Sequence, residues 1–200
     1  MSAVDLALGP EPPMEAFLVS ITTVAAAEMG DRTQLLSLML AARYRKPWPI
    51  LAGVLLATSA NHALAGVVGV WFSGFLTPRV LDAVVGTSML AMALWTLRPD
   101  RLESGRAASD RGAFLATLVA FFIAEIGDKT QVATVALAAG YSSLAAVVAG
   151  TTAGMLAANV PVVFMGKAFA DRLPMRAIQL SAAGLFAVLG AVFIARTAMG

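Results

Sequence analysis

Six long apolar runs most constrain what this 200-residue chain can fold into. They are predicted at 15–42, 49–75, 80–97, 113–139, 143–169 and 176–198. Each run is long enough to cross a bilayer, which takes about 17–25 apolar residues of helix. The runs lack the alternation of barrel strands, and backbone polar groups in lipid must then be paired within helices. The sequence therefore predicts an all-α polytopic membrane protein with six transmembrane helices.

Composition supports this prediction. Hydrophobic residues make up 59% of the chain and charged residues 13%, whereas a soluble domain has about 25% charged residues. A water-soluble fold could not hide so much apolar surface. The chain has no cysteine, so neither a disulfide framework nor a thiolate metal site is expected.

The chain consists of two similar halves. A shift of 97 residues superposes Phe17 on Phe114 and Gly53 on Gly150. Each half has three predicted spans, and three is odd, so the second half would cross the membrane in the opposite sense. This is the inverted repeat of many secondary transporters. The predicted segments are a short acidic extracytoplasmic tail (1–14), a three-helix repeat (15–97), a cytoplasmic linker (98–112) and a second three-helix repeat (113–200).

The distribution of basic residues predicts the orientation. With the N-terminus outside, ten Lys and Arg residues fall in the inside loops and two in the outside segments. Cytoplasmic loops of membrane proteins carry such an excess. Both termini are therefore predicted to be extracytoplasmic. The first fourteen residues contain no Lys or Arg, which is untypical of a secretory signal peptide.

Each half carries one charged motif inside its first apolar run. The first motif reads E-M-G-D-R-T at 28–33 and the second reads E-I-G-D-K-T at 125–130. Charge at membrane depth is costly and points to a functional site. Eleven residues of helix, about 16 Å, separate Phe17 from Glu28, which places this carboxylate near the membrane midplane. Because the halves are inverted, the two motifs are predicted to form one shared site.

On a helix, the spacing within the motif would bring its charged residues together. Glu28 and Asp31 are three residues apart and would share a helix face, and Arg32 would follow Glu28 by four. Gly30 could loosen the helix there or admit a neighbouring helix. Arg32 and Lys129 are predicted to be charge partners of the carboxylates rather than ligands.

The predicted ligand set contains only oxygen donors. It comprises four carboxylates, two amides and two hydroxyls: Glu28, Asp31, Glu125, Asp128, Gln34, Gln131, Thr33 and Thr130. Such donors suit Mn²⁺, Ca²⁺ and Mg²⁺. Four carboxylates and two cationic side chains leave a formal charge of −2, which one divalent cation or two protons would neutralise. The site therefore suggests cation–proton exchange.

Further polar residues in the predicted spans could line an ion pathway. They are His62, Asn61, Asn159, Ser37 and Thr134. A lone His or Asn in a membrane is more often an interhelical hydrogen-bonding residue, but His62 aligns with Asn159 at the 97-residue shift. The methionines fall at no repeated position beside the carboxylates and are predicted to be apolar filler.

The twin E-x-G-D-[KR]-[ST] motifs resemble those of the manganese/calcium cation transporter family of bacteria, plastids and the Golgi, within the wider cation/Ca²⁺ exchanger group. Both motifs match without departure, and the six-span plan extends the resemblance to essentially the whole chain. The resemblance implies movement of Mn²⁺ or Ca²⁺ coupled to protons, and Mn²⁺ efflux in bacterial members. Eukaryotic members usually carry an additional targeting segment, which favours a bacterial inner (plasma) membrane for this chain.

The prediction from the sequence is a secondary transporter and not an enzyme. It would export Mn²⁺, or Ca²⁺, in exchange for protons, by alternating access around a midplane carboxylate site. No cofactor and no nucleic-acid partner are expected, only the lipid bilayer and the transported ions. Two alternatives stay open at this point. One is an exporter of a small organic solute such as an amino acid, and the other is a membrane scaffold that transports nothing.

Overall fold

The computed structural model describes residues 12–97, 112–165 and 175–199. The predicted acidic tail and linker lie outside these residues, apart from 12–14 and Gly112. Within the described ranges the chain forms helices and no strand, as predicted for an all-α protein. The eight helices are α1 (Pro13–Glu28), α2 (Arg32–Tyr44), α3 (Pro47–Ser73), α4 (Pro78–Thr96), α5 (Ala113–Glu125), α6 (Lys129–Gly140), α7 (Leu144–Met165) and α8 (Met175–Met199).

Local sequence explains where several helices begin and end. Pro13, Pro47 and Pro78 each stand at the first position of a helix, where a missing N–H costs nothing and the fixed φ angle suits the first turn. Helix α2 ends at Arg45, whose left-handed φ of 52° stops the helix.

Two of the six predicted runs are broken helices. The first run forms α1 and α2, and the fourth forms α5 and α6, with each break inside a charged motif. The expectation that Glu28 and Asp31 share the face of one helix is therefore wrong, and each break contains the glycine at which the sequence allows the helix to loosen. The other four runs correspond to α3, α4, α7 and α8, with ends within a few residues of those predicted, and the predicted end of the fifth run, 169, lies outside the described residues.

Helices α3 and α7 are each long and apolar enough, by length and composition, to cross a membrane. On α3 the usual distribution of side chains is reversed. Thr58, Asn61 and His62 are buried, whereas Leu64 and Trp71 are 59% and 64% exposed. A soluble protein rarely exposes such apolar faces, but lipid is a suitable neighbour for them.

The halves interlock through α3 and α7. Helix α3 of the first half packs on α5 and α6 of the second, and α7 of the second packs on α1 and α2 of the first. Helices α4 and α8 pack against each other. Each half therefore supplies the partner helix of the other half's motif.

Close contacts at two glycines match across the halves. A Cβ built on Gly53 would lie 2.8 Å from the Phe114 carbonyl oxygen, and one on Gly150 would lie 2.6 Å from that of Phe17. Both pairs are related by the 97-residue shift. Neither position has room for a side chain, so glycine allows α3 and α7 to approach their partner helices equally closely. At these two glycines the alignment of the halves thus relates equivalent backbone contacts.

Candidate metal centre

The break between α1 and α2 is a tight turn. Met29 has φ −63° and ψ 118°, Gly30 has φ 79°, and the Asp31 N–H donates to the Glu28 carbonyl oxygen at 3.0 Å. These are the features of a type II β-turn, whose third residue needs a positive φ and is normally glycine. The motif glycine is therefore required by the turn.

The second motif repeats this geometry. Ile126 has φ −62° and ψ 119°, Gly127 has φ 74°, and the Asp128 N–H donates to the Glu125 carbonyl oxygen at 3.1 Å. A Cβ at Gly127 would meet nothing within 4 Å, so its φ angle and not its space calls for glycine. In both motifs the turn, rather than a shared helix face, brings the glutamate and the aspartate together.

Each break also creates two helix termini inside the protein. Asp31 and Asp128 stand at the N-cap positions of α2 and α6, and neither side chain caps its own helix. Glu28 and Glu125 are the last residues of α1 and α5. Helix N-termini stabilise carboxylates, and helix C-termini with their unpaired carbonyls favour cations. The two turns therefore suit a site that holds anionic ligands around a cation.

Three buried carboxylates from the two motifs meet in one place. Glu28, Asp31 and Asp128 each offer an oxygen, and these oxygens all lie within 4.8 Å of one another. An ion that binds oxygen at about 2.0–2.6 Å holds its ligands within roughly twice that distance. The three side chains are at most 2% exposed. These three carboxylates therefore form a group that could hold a divalent cation.

Two ion pairs cross between the motifs. Lys129 Nζ lies 2.6 Å from Asp31 Oδ1, and Arg32 Nη2 lies 2.8 Å from Asp128 Oδ1. The i, i+4 pairing expected within one motif, Glu28 with Arg32, is replaced by this exchange between halves. Lys129 is 4% exposed and Arg32 is 41% exposed. Each aspartate is thus neutralised by the other half, and only the Arg32 pair extends to the surface.

The two motif glutamates have different surroundings. Glu125 accepts hydrogen bonds from the Thr58 hydroxyl and from Asn61 Nδ2 at 3.0 Å. Glu28 is fully buried, and neither of its carboxylate oxygens has a hydrogen-bond partner among the described residues. A buried carboxylate without a partner is costly. Of the two glutamates, Glu28 would therefore be stabilised more by a bound cation or by protonation.

The two glutamines brace the turns. Gln34 Oε1 accepts from the Gly30 N–H at 2.8 Å, and its Nε2 donates to the Ala158 carbonyl oxygen at 2.9 Å. Gln131 Oε1 accepts from the Gly127 N–H at 2.7 Å. Both amide oxygens hold the glycine backbone, a role that positions the neighbouring aspartates.

The predicted hydroxyl ligands and pathway residues divide into two groups. Thr33 and Thr130 are buried, and their hydroxyls have no hydrogen-bond partner among the described residues. The same holds for both ring nitrogens of His62. By contrast, Ser37 donates to Asn159 Oδ1 at 2.6 Å, in a bond between α2 and α7.

Further contacts place the remaining pathway residues. Thr134 donates to the Thr130 carbonyl oxygen of its own helix at 2.7 Å. Asn61 also donates to the Phe122 carbonyl oxygen at 3.1 Å, in addition to Glu125. The predicted pathway residues do not include Thr58, which the sequence favours as a packing residue, although its hydroxyl donates to Glu125.

Similar sequences among known proteins show the family to which this chain belongs. The family model described as divalent cation/proton antiporter GDT1 matches residues 16–104 and 113–199. The chain belongs to the GDT1 family. The resemblance drawn from the twin motifs is thereby confirmed. Members of this family are transporters, so the expectation that the chain is not an enzyme is confirmed as well.

Individual relatives cover most of the chain. A Vibrio cholerae protein provisionally named a manganese exporter is 54% identical over 180 residues, 90% of each chain. A GDT1-like protein of Synechocystis is 27% identical over 205 residues, 90% of this chain and 96% of its own length. GDT1-like protein 4 of Arabidopsis thaliana is 26% identical over 219 residues, 88% of this chain and 94% of its own. No solved structure matches this chain significantly.

Proposed function

We propose that this GDT1-family protein exports Mn²⁺ in exchange for protons, by alternating access around a single site formed by both charged motifs. The observation that carries the proposal is the cluster of Glu28, Asp31 and Asp128, whose oxygens lie within 4.8 Å of one another. Two of these carboxylates come from the first half and one from the second. A change in the relation of the halves would therefore alter the binding site itself.

The proposed ligands are these three carboxylates together with the hydroxyls of Thr33 and Thr130, which are buried and otherwise unpartnered. All are hard oxygen donors, which suit Mn²⁺ and Ca²⁺ alike. The name of the Vibrio cholerae relative, with 54% identity, supports Mn²⁺ as the substrate and efflux as the direction.

Glu125, Gln34 and Gln131 have supporting roles in this proposal. The Glu125 carboxylate is held by Thr58 and Asn61 of α3, and both glutamine oxygens hold the turn glycines. These residues keep the ligands in position, and Glu125 contributes negative charge. Groups that orient ligands in this way contribute substantially to metal affinity.

Charge balance links the metal to protons. With all groups ionised, the crossed ion pairs neutralise Asp31 and Asp128, which leaves Glu28 and Glu125 with a formal charge of −2. One Mn²⁺ or two protons balance that charge. The two species therefore compete for the same buried site, which is the requirement for their exchange.

We further propose six membrane spans arranged as two inverted repeats, 15–97 and 113–200, with both termini extracytoplasmic in a bacterial inner membrane. The matched contacts of Gly53 and Gly150 support equivalence of the halves. The excess of basic residues in the assigned inside loops supports the orientation. Each broken helix, α1–α2 or α5–α6, counts as one span, with its turn at the depth of the ion.

Alternating access would act on the crossed ion pairs. The Lys129–Asp31 pair is enclosed, whereas Arg32 of the other pair is partly exposed. In the proposed orientation Arg32 lies on the cytoplasmic side of Glu28, so this arrangement would be the one that admits Mn²⁺ from the cytoplasm. Opening to the other side would require the Lys129–Asp31 pair to separate.

The test uses purified full-length protein in sealed liposomes, with Mn²⁺ and proton fluxes followed together under imposed gradients. Wild type is expected to move Mn²⁺ against protons, and Asp31→Asn and Asp128→Asn are each expected to abolish both fluxes. Glu15→Gln is the matched control, because Glu15 is an exposed carboxylate on α1 outside the motif.

Two results would contradict the proposal. Mn²⁺ flux without opposing proton flux would show that Mn²⁺ is not exchanged for protons. Absence of Mn²⁺ flux in folded wild-type protein would show that Mn²⁺ is not the substrate. Amino-acid export would then be assayed.

A further inference from the structure

We infer that Met155, on α7, is a specificity-determining residue that selects Mn²⁺ against Ca²⁺ at the Glu28 side of the site. The inference rests on the function proposed above. It concerns a position where the two halves differ in chemistry although their backbones are equivalent.

The first step is the difference between the glutamates. Glu125 is held by two donors of α3, Thr58 and Asn61. At the 97-residue shift the counterpart of Thr58 is Met155 and that of Asn61 is Ala158. Neither side chain can donate a hydrogen bond, which explains why the Glu28 carboxylate has no partner among the described residues.

The second step is the path of α7 along the first motif. A Cβ built on Gly154 would lie 2.6 Å from the Ile21 carbonyl oxygen and 2.9 Å from the Ala25 nitrogen, both on α1 before the turn. One turn later along α7, the Ala158 carbonyl oxygen accepts from Gln34, which lies on α2 after the turn. The stretch of α7 that includes Met155 therefore runs beside the break that carries Glu28.

The third step is the placement of Met155 itself. Its side chain is fully buried and packs in a cluster with Val24 of α1. Its sulfur lies 3.2 Å from Asn159 Nδ2, and Asn159 in turn accepts from Ser37 of α2. Met155 thus packs against the first half and not lipid, and the 97-residue shift makes its position on α7 the counterpart of that of Thr58 on α3.

The consequence follows from ligand chemistry. Ca²⁺ requires six to eight oxygen ligands, and Met155 supplies a thioether where the other half supplies a hydroxyl oxygen. A thioether sulfur is a soft donor that Ca²⁺ does not use, whereas Mn²⁺ is a transition-metal ion, less hard than Ca²⁺, and accepts one sulfur among its oxygen ligands. The same three carboxylates would then bind Mn²⁺ while leaving Ca²⁺ short of oxygen ligands. This assigns a purpose to a residue that the sequence predicts to be apolar filler.

The experiment compares Met155→Leu, which keeps the volume and removes the sulfur, with Met155→Thr, which restores the residue of the other half. Met89→Leu is the control, because Met89 is equally buried but lies on α4 in a different apolar cluster. Mn²⁺ flux into liposomes is measured with Ca²⁺ or Cd²⁺ as competitor. Cd²⁺ tests for a sulfur ligand, because this soft cation prefers sulfur donors.

We expect Ca²⁺ to compete about tenfold better in Met155→Thr, which gains an oxygen donor, than in wild type. In Met155→Leu the Mn²⁺ affinity falls, and inhibition by Cd²⁺ weakens about tenfold, because the sulfur is absent. Met89→Leu should match wild type in both assays. Should Met155→Thr fail to fold, Met155→Leu decides the matter alone.

Wild type that transports Mn²⁺, with Ca²⁺ competition and Cd²⁺ inhibition unchanged in the Met155 variants, would overturn this inference and leave the proposed function standing. Folded wild type that transports no Mn²⁺ would overturn both. The two failures are therefore distinguishable within one set of measurements.

Discussion

The two charged motifs have nearly the same backbone but different neighbours. Both form a type II turn with a positive-φ glycine, with φ angles of 79° at Gly30 and 74° at Gly127. Yet Glu125 is held by two hydrogen bonds from α3, and Glu28 has none from the described residues. A repeated motif therefore preserves the geometry of its own turn, while the helix packed against it decides what each carboxylate can do.

The cations differ in a similar way. Lys129 is 4% exposed beside Asp31, and Arg32 is 41% exposed beside Asp128. The two ion pairs are related by the repeat, but one is enclosed and the other reaches the surface. In the proposed mechanism this difference corresponds to one of two alternating arrangements, the one open on the Arg32 side.

The largest expected effect separates the two glutamates. Glu28→Gln should reduce Mn²⁺ transport by more than the roughly 100-fold that changes outside the ligand shell produce, because it removes a proposed ligand. Glu125→Gln should cost about tenfold, because a glutamine can keep bonds to Thr58 and Asn61. Initial rates of Mn²⁺ flux in liposomes measure both. Equal losses in the two variants would show that the glutamates have equivalent roles.

The next effect concerns stability and compares the ion pairs. Lys129→Met removes the buried cation beside Asp31 and should destabilise the protein by about 3–5 kcal/mol, the usual cost of breaking a buried ion pair. Arg32→Met should cost about 1 kcal/mol or less, because the partly exposed guanidinium exchanges with solvent. Unfolding by denaturing detergent, followed by circular dichroism, gives both values. A larger destabilisation by Arg32→Met than by Lys129→Met would contradict this expectation.

The smallest effect distinguishes the turns. Gln34→Leu removes two hydrogen bonds, to the Gly30 N–H and the Ala158 carbonyl, and should cost about 2 kcal/mol at about 1 kcal/mol per bond. Gln131→Leu removes the bond to the Gly127 N–H, which is exposed, and should cost about 1 kcal/mol or less. The same unfolding assay measures both variants. A larger loss of stability in Gln131→Leu than in Gln34→Leu would contradict this expectation.

The sequence by itself determined the class of protein and identified the carboxylates of the candidate site. Long apolar runs can form only helices in lipid, because their backbone groups have no other partners there. The repeated E-x-G-D pattern identified the three carboxylates that the fold brings within 4.8 Å. These features are readable because composition, periodicity and repetition are properties of the chain itself.

Only the tertiary structure decided the partners. The sequence places Arg32 four residues after Glu28, on one face if the helix continues, whereas the fold has a turn at Gly30 and joins Arg32 to Asp128 of the other half. It gave no sign that Thr58 holds Glu125 while Met155 replaces it beside Glu28. The reason is physical, since these contacts join residues 67 to 96 positions apart, and the packing of α3 and α7 across the halves, not local pattern, sets which side chains meet.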